Sequence, residues 1–370
     1  MYHQIVNNRQ HIFEYAKKKY VLVLLSLMLL GSSCNIENED DPINEYGNID
    51  LNKVPYNKLS DYSFFTGDMN ELNPGQGVYS YDLTAPLFSD YTAKERFIYL
   101  PEGTNMEYQG DFNVLNFPIG TIIIKNFIYY KDVRDKSLGR TIIETRLLVR
   151  KETKWKPFLY KWNDEQTEAT RLIVGGTATA STIIENGNLK EITRYVLPRE
   201  LDCRTCHNLN QEMTPIGPKP ANLNRLMDDN LSLNQMDNFV EQGILNGSPV
   251  SMSQIPDYSD STLGPIIRGR AYLDANCAFC HRQGGTANAN GLYINWEFEG
   301  EKIHTGIFKI PTNYNAPQLQ YDIVPGNPDE SILLYRMTQT EAPDVMPQIG
   351  RSINHNEGIE IIREYIYNIE

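Results

Sequence analysis

Cysteine, histidine and long apolar runs are all scarce in this sequence. The 370 residues include five cysteines and six histidines, and so few cysteines exclude a small scaffold held together by disulfides. A chain of this length can build its cores without such cross-links, and two or three domains are expected. The marked apolar run, residues 21–30, is too short to cross the ~30 Å hydrocarbon layer of a membrane.

Basic residues are also in deficit. Lysine and arginine together number 34 against 47 aspartates and glutamates, which gives a formal net charge of −13 at pH 7. Such a charge repels the phosphate backbone of DNA and RNA, so a nucleic-acid-binding function is excluded. An acidic surface is compatible instead with a partner protein that docks through a basic face.

The first 33 residues have the organisation of a bacterial export signal. Three lysines precede the apolar run, and small residues 31–33 lead into Cys34. The pattern is similar to the lipobox of bacterial lipoproteins, although Gly31 stands where the strict pattern prefers leucine. We expect a lipid on Cys34 and a membrane-anchored protein facing the periplasm or cell surface. The alternative is an ordinary secretory signal with a stray cysteine. Polar, acidic residues 34–50 predict a flexible tether.

Residues 51–200 are rich in short β-type segments. GTIIIKNFIYYKD, RTIIETRLLVRKE and WKPFLYKWN are dense in Ile, Val, Thr and aromatic residues, and turn residues separate them. Regularly spaced short strands predict an N-terminal antiparallel β-sandwich-like domain. It contains no recognisable catalytic constellation, and Glu144 and Arg146 are expected to form ordinary cross-strand ion pairs.

After residue 200 the pattern changes to helices separated by long loops. LNQMDNFVEQGIL, IIRGRAYLDANC and NEGIEIIREYIYNIE carry apolar residues at helical spacing. The expected fold is therefore multidomain, with the β-domain followed by mainly α-helical modules.

Four of the five cysteines form two pairs with the same spacing, and a histidine follows each pair directly. The two CxxCH motifs consist of Cys203, Cys206 and His207, and of Cys277, Cys280 and His281. Two thiols separated by two residues can each form a thioether with a haem vinyl group, and the adjacent histidine then binds the iron. The motifs predict two covalently bound c-type haems.

Two other interpretations use the same cysteines. A four-cysteine zinc site needs the pairs to come together, but about 70 residues separate them, against roughly 15 to 20 in compact zinc ribbons. Two CxxC disulfides are compatible with export, but they leave both histidines unexplained and lack a thioredoxin-like context. Haem is the favoured interpretation.

For the second motif, the sequence predicts both protein ligands of the iron. Met346 lies 65 residues beyond His281, in a loop before the last helical segment, where class I cytochromes c supply their distal methionine. Met337 is the alternative, but its helical context favours a place in the core. His/Met ligation suits an electron carrier and leaves no open position on the iron. Residues 262–370 are therefore predicted to form a class I cytochrome c-like domain.

The first motif, in a segment predicted over residues 201–261, is less complete. A strand-like sequence precedes it, and its candidate distal ligands are Met252, which has the best spacing, Met213, Met236 and Met227. An iron with no distal ligand is the remaining possibility. Two nearby basic residues, Lys219 and Arg225, either neutralise haem propionates or are solvated.

Several longer strings resemble a family of exported bacterial di-haem c-type cytochromes with a β-rich N-terminal domain. They are ELDCRTCHN, IGPKPANLNR, RAYLDANCAFCHRQGG and MPQIGRS, with APLFSDYTAKERFIYLPEG and FPIGTIIIKNF upstream. The likeness covers nearly all of the chain after residue 33. It implies electron transfer outside the cytoplasm, with one haem on Cys203, Cys206 and His207 and the other on Cys277, Cys280, His281 and Met346.

These observations predict a di-haem cytochrome that mediates electron transfer in the cell envelope and meets a redox partner protein there. One alternative is a haem enzyme, peroxidase-like or another oxidoreductase, in which the first iron is open. Another is a binding protein that uses its β-domain to dock a ligand, with the haems as a relay. The coordination of the first iron separates the carrier from the enzyme.

Overall fold

A six-stranded antiparallel sheet is the largest element of the fold. The computed structural model describes residues 45–46, 49–228, 230–249, 251–312, 314–316 and 318–370. Glu45–Glu370 belong to one compact unit. The predicted export signal and Cys34 lie outside the described residues. Among the helices that are described, none has the length and apolarity needed to span a bilayer.

The strands of the sheet follow one another in chain order. They are Val78–Tyr81 (β1), Ala93–Tyr99 (β2), Ile122–Tyr130 (β3), Arg140–Arg150 (β4), Trp155–Trp162 (β5) and Ala169–Arg171 (β6). Each pairs antiparallel with its sequence neighbour. The β-branched and aromatic residues of these segments favour such strands, and the result is a meander.

The two faces of the sheet have different covers. On one face, Ile124 and Tyr160 pack in a large core against Leu59 and Phe64, which come from the chain before β1. That segment is mostly irregular, with a 3₁₀ turn at Leu59–Tyr62. The other face of the sheet lies towards the first CxxCH motif.

Two hairpins lead from the sheet to that motif and beyond it. Gly176–Ile183 (β7) and Leu189–Leu197 (β8) form a long hairpin, and Asn208–Leu209 (β9) and Glu212–Met213 (β10) form a short one directly after the motif. Other described strand pairs have two residues per strand: Glu45–Tyr46 with Ile49–Asp50, Phe65–Thr66 with Asn73–Pro74, and Met106–Glu107 with Leu245–Asn246.

The helices of the described residues are short. They are Cys203–Cys206 (α1), Pro220–Leu223 (α2), Gln235–Glu241 (α3), Pro265–Asn276 (α4), Ile332–Thr338 (α5) and Asn356–Tyr367 (α6). Further 3₁₀ turns lie at Met69–Glu71, Lys136–Leu138, Glu200–Asp202, Asn288–Asn290, Lys302–Thr305 and Pro328–Glu330.

The predicted fold class, an N-terminal antiparallel β-sandwich-like domain followed by mainly α-helical cytochrome c modules, is wrong. The chain is β-rich, with 25% of residues in strands and only 22% in helices. The six strands of the main sheet form one meander, and irregular chain rather than a second large sheet covers one of its faces. The helical turns described between α4 and α5 are all 3₁₀, because glycines with positive φ interrupt the chain repeatedly, among them Gly284, Gly291, Gly306 and Gly326.

Helices α4 and α6 approach each other closely at two glycines. A Cβ on Gly269 of α4 would overlap Tyr365 of α6, and a Cβ on Gly358 of α6 would overlap Tyr272 of α4. Any side chain at either position would force the helices apart. Because α4 ends at Asn276, this contact fixes where the second CxxCH motif begins.

Candidate functional site

The two CxxCH motifs adopt the same local turn. The His207 N–H donates to the Cys203 carbonyl at 2.9 Å, and the His281 N–H donates to the Cys277 carbonyl at 3.0 Å. This i to i−4 hydrogen bond is that of an α-helical turn. Each motif therefore holds its two thiols and its imidazole on one turn of chain.

A capped 3₁₀ turn positions the first motif after β8. The Arg199 N–H donates to the carboxylate of Asp202 at 2.9 Å, and the two side chains form an ion pair at 2.7 Å. Helix α1 then begins at Cys203. The first motif thus follows a strand and a tight turn, whereas the second follows the 12-residue helix α4.

The hairpin that follows the first motif orients the ring of His207. Its Nδ1 lies 2.9 Å from the carbonyl oxygen of Thr214. A carbonyl only accepts, so Nδ1 donates the proton and Nε2 keeps its lone pair. Burial lowers the pKa of His207 to about 4, and the positive charges of Lys125 and Arg146 act in the same direction. The ring is therefore neutral near pH 7, as an iron-binding imidazole must be.

Buried polar atoms that lack a hydrogen bond within the described residues all lie at the two motifs. They are Asn208 Oδ1, His281 Nδ1 and Arg282 Nε. Burial also lowers the pKa of His281 to about 4, with Arg336 contributing. Buried polar groups without partners are rare in folded proteins and indicate a functional site or a bound group. This distribution fits a prosthetic group at each motif.

The two motifs touch each other. The thiols of Cys206 and Cys280 lie close enough to interact, and the interaction raises the pKa of Cys206 and lowers that of Cys280. The Cys280 thiol also contacts the Thr205 carbonyl at 3.4 Å, and Thr286 Oγ1 donates to the same carbonyl at 2.8 Å. One attachment point of each motif therefore lies beside one of the other, a contact that the sequence did not predict.

Two glycines after the second motif permit this contact. The Asn210 N–H donates to the Gly284 carbonyl at 2.8 Å, and Leu209 forms a β-bridge with Gly285. A Cβ on Gly284 would overlap the side chain of Asn210, and a Cβ on Gly285 would overlap the backbone of Cys280. Gly284 also has a φ of 73°. The double glycine of HRQGG is the sequence signal that could have indicated a close chain approach here.

Two arginines hold the loop that carries Met346, between α5 and α6. Arg336 donates to the carbonyls of Pro343 and Asp344, both at 3.0 Å, and its own carbonyl accepts from the Met346 N–H at 3.1 Å. Arg351 donates to the Met346 carbonyl at 2.8 Å. Burial lowers the pKa of both guanidinium groups. Sequence pattern did not single out either arginine.

The same arginines tie this loop to the second motif. The charge of Arg336 acts on His281, and the charge of Arg351 opposes the effect of burial, which raises the pKa of Cys277 to about 12. Met346 is half-buried in the loop. Met337, the alternative ligand, is buried in the core that α4, α5 and α6 share. The structure thus places Met346 in a loop beside the second motif and Met337 in the hydrophobic core.

Two of the methionines considered for the first iron have other positions. Met236 is fully buried in a hydrophobic core cluster. Met213 pairs with Asn208 across the β9–β10 hairpin, which sets the two Cα atoms about 4.5–5.5 Å apart. Met213 also packs partly against the core cluster that contains Met236.

The other two methionines are half-buried. The sulfur of Met252 accepts a hydrogen bond from Ser248 Oγ at 3.8 Å, and Met252 packs partly against the same core cluster as Met213. The Met227 N–H donates to the Leu233 carbonyl at 3.0 Å in an irregular segment. No described contact brings either methionine to His207.

The two basic residues considered as partners of propionates are engaged elsewhere. Lys219 forms an ion pair at 2.8 Å with Asp274 of α4, and the two side chains are 9% and 2% exposed. Arg225 forms ion pairs with Asp82, at 3.1 Å, and with Asp228. The Lys219–Asp274 pair connects the segment that follows the first motif to the helix that enters the second motif.

Comparison with known proteins gives no relative: no family model, no curated protein and no solved structure matches the chain.

Proposed function

We propose that the chain is a di-haem c-type cytochrome that mediates electron transfer in the cell envelope. The observation that carries the proposal is the direct contact between the two CxxCH turns, in which the Cys280 thiol lies 3.4 Å from the carbonyl oxygen of Thr205. Bound at these motifs, each haem would supply an iron that accepts and releases one electron. Because one attachment point of each motif touches the other, the chain would hold the two carriers as a pair.

The residues of each motif have distinct roles in this proposal. Cys203 and Cys206 would form the thioethers of one haem, and Cys277 and Cys280 those of the other. His207 and His281 would bind the irons. The hydrogen bond from His207 Nδ1 to Thr214 fixes the ring and leaves Nε2 as the metal-binding atom. The chain thus supplies attachment, orientation and tuning.

Met346 is the proposed distal ligand of the second iron. Its loop is fixed at the backbone by Arg336 and Arg351, and Met337 is committed to the core. A thioether ligand favours the reduced iron and raises its potential. Met346→Ala should convert one haem from a low-spin to a high-spin spectrum, while Met337→Leu should leave both spectra unchanged. The reverse pattern would assign the ligand to Met337.

The zinc and disulfide interpretations have weaker support. No three Cys, His, Asp or Glu side chains in the described part of the chain are grouped closely enough to hold a metal ion. The thiols of Cys203, Cys206, Cys277 and Cys280 are free. The contact between Cys206 and Cys280 makes a disulfide between the motifs the main competitor of haem attachment.

Intact-mass measurement and a pyridine haemochrome spectrum test the proposal. The full chain, produced in a host that matures c-type cytochromes, should carry two covalent haems. Replacing Cys203 and Cys206 by alanine should remove one haem and retain the other, and the matching change at Cys277 and Cys280 should do the reverse. A haem-free chain whose mass shows oxidised cysteines would refute the proposal.

Export and lipid attachment belong to the same proposal. Residues 1–33 would be the signal, and Cys34 would carry the lipid that anchors the protein at the membrane. The Cys34→Ser variant should lose labelling by a radioactive fatty acid and leave the membrane fraction, and it should keep both haems if it is still exported. Membrane retention without label would refute the anchor alone. The acidic chain would meet a redox partner through a basic face on that partner.

A haem enzyme with an open first iron is the second candidate. The observations that favour it are the burial of Met236 in the core and the packing of Met213 and Met252 against that same core. An optical spectrum of the ferric protein separates the candidates. Two low-spin haems that refuse cyanide would refute the enzyme, whereas one high-spin haem that binds cyanide would refute the pure carrier.

A further inference from the structure

The face of the sheet that lies towards the first motif carries a row of directly opposed cations. Arg96 of β2 pairs with Lys125 of β3, and Lys125 pairs with Arg146 of β4. Directly paired residues of an antiparallel sheet share a face, and like charges placed opposite one another destabilise a sheet. We call Lys94, Arg96, Lys125 and Arg146 the basic band.

The basic band divides an otherwise apolar face. Ile98, Ile123 and Leu148 lie two residues further along each strand in one buried cluster, and Phe127 lies on the other side of the band in a second cluster. Lys94 pairs with Phe127 in that next row. If this face only packed against apolar side chains, we would expect apolar residues in place of Arg96, Lys125 and Arg146 as well.

The carboxylates near the basic band balance only part of its charge. Asp82 forms an ion pair with Arg96, and Glu144 forms one with Arg146, both at 2.5 Å. Neither Lys94 nor Lys125 forms an ion pair with a described residue.

The two lysines have weak partners. The ammonium of Lys94 donates to the Thr92 carbonyl at 2.7 Å, and that of Lys125 lies 4.9 Å from the centre of the Phe127 ring. Burial lowers the pKa of Lys125 to about 7 and that of Lys94 well below its usual range. Two half-buried lysines thus have no carboxylate in direct contact, and their surroundings disfavour the charged form of both.

The basic band is electrostatically coupled to the first motif. Lys125 and Arg146 both act on His207, and Arg146 also acts on the thiols of Cys203 and Cys206. An anion between the lysines and this motif would raise the pKa of both lysines and favour their charged form. Lys219 and Arg225 cannot serve here, because each already has a carboxylate partner.

We propose that Lys94 and Lys125 bind a carboxylate-type anion beside the first CxxCH motif. A haem carries two propionate carboxylates, which match the two unbalanced lysines in charge and number. A free small carboxylate is the other source of the same chemistry. The propionate source rests on the proposed function, because it needs a haem at His207, whereas the free-anion source does not.

The test replaces Lys125 by methionine in the full-length protein, as purified. Lys154→Met, at an exposed position in the turn between β4 and β5, is the matched control. If a propionate pairs with Lys125, Lys125→Met leaves a buried carboxylate unpaired, and the melting temperature falls by several degrees relative to the control. The midpoint potential of one haem falls as well, because a cation beside it is lost.

Formate titration at constant ionic strength identifies the other source. If the site takes free anions, formate raises the melting temperature of the unchanged protein in a saturable manner, and Lys125→Met removes that response. Lys94→Met should reproduce either pattern and replaces Lys125→Met if that variant does not fold.

Two outcomes would overturn the proposed site. In the first, Lys125→Met raises the melting temperature and the unchanged protein shows no saturable formate effect, which means that the lysine has no anionic partner. In the second, Lys125→Met behaves like Lys154→Met in every measurement. A haemochrome spectrum on the same samples reports the proposed function separately, since absence of haem refutes that function and leaves the formate result intact.

Discussion

The two CxxCH motifs adopt the same local turn, but different structural elements precede and follow each of them. The second motif follows α4, which crosses α6 at Gly269 and Gly358, and it is followed by a loop fixed by Arg336 and Arg351. The first motif follows strand β8, is followed by a hairpin, and faces the charged side of a sheet. A five-residue motif therefore determines its own turn, while its surroundings decide what else reaches the iron.

This difference predicts different roles for the two segments. Around the second motif, backbone hydrogen bonds position a candidate thioether ligand. Around the first, like charges lie opposite one another on the sheet, and Met213, Met236 and Met252 belong to or pack against one hydrophobic core. Under the proposed function, the second segment would be the closed electron carrier, and the haem of the first segment would be the one whose potential depends more on neighbouring charges.

Breaking the ion pair that joins the two segments should have the largest effect. We expect Lys219→Met to lower the free energy of unfolding by about 3–5 kcal/mol, because Asp274 becomes a buried, unpaired carboxylate. Denaturant unfolding of the haem-loaded protein measures this loss. The double variant Lys219→Met, Asp274→Leu should recover most of it. If the double variant is as unstable as the single one, the ion pair is not the reason.

Acid should weaken the second segment through His355, which precedes α6. Its ring stacks on Phe88 with centroids 4.1 Å apart, and burial lowers its pKa to about 4. The unfolded chain, with a pKa near 6.5, takes up this proton more readily than the folded chain. Stability should therefore fall between about pH 6.5 and 4, by up to about 3 kcal/mol, and this loss is absent above pH 6.5.

The contribution of His355 is measured as a difference between two proteins. Denaturant unfolding of the unchanged protein and of His355→Gln across this pH range should show a shallower acid slope for the variant. Equal slopes would mean that His355 is not buried in its neutral form. Hydrogen exchange at α6 should report the same change locally.

Widening the contact between α4 and α6 should damage the second segment selectively. Gly269→Ala is expected to cost about 1–3 kcal/mol, because its Cβ would overlap Tyr365. Gly264→Ala is the matched control, since a Cβ there meets no atom within 4 Å. The spectrum of the haem at the second motif should change in Gly269→Ala alone. A change confined to the first haem would contradict the assignment of α4 to the second motif.

Disturbing the contact between the two motifs should have the smallest effect on stability. Gly284→Ala is expected to cost about 1–2 kcal/mol from its left-handed backbone, in addition to any cost from contact with Asn210. Gly291→Ala has a similar backbone, with a φ of 62°, and only ordinary contacts at 3.7 Å or more. Electron exchange between the haems, followed after a flash, should slow in Gly284→Ala and not in Gly291→Ala.

The two CxxCH motifs could be located from the sequence because each consists of residues that are adjacent in the chain, and haem attachment to them stays a prediction. Cys203 to His207 and Cys277 to His281 each fold on one turn, and the loop before α6 could be anticipated from the helical spacing of the last segment. The sequence predicted the distal iron ligands only as a set of candidates. Whether Met213, for example, could reach an iron depends on where the β9–β10 hairpin holds it.

Long-range relations could not be read from the sequence. Alternating residues show that β3 and β4 are strands, but they do not show that irregular chain near Leu59 and Phe64, rather than a second sheet, covers them. The contact of Thr205 with Thr286 joins residues 81 positions apart. The basic band arises from pairing three strands, so no single segment contains its pattern.

The touching thiols of Cys206 and Cys280 also constrain the order of events during biogenesis. In an oxidising compartment, two thiols in contact are exposed to oxidation into a cross-link, which would consume one attachment point of each motif. This contact joins distant parts of the chain, so it forms late in folding. If haem is attached at these motifs, both thiols are accessible and still apart only before the contact between the motifs forms. Haem attachment and folding would then be competing reactions, and their relative rates would decide the yield of mature protein.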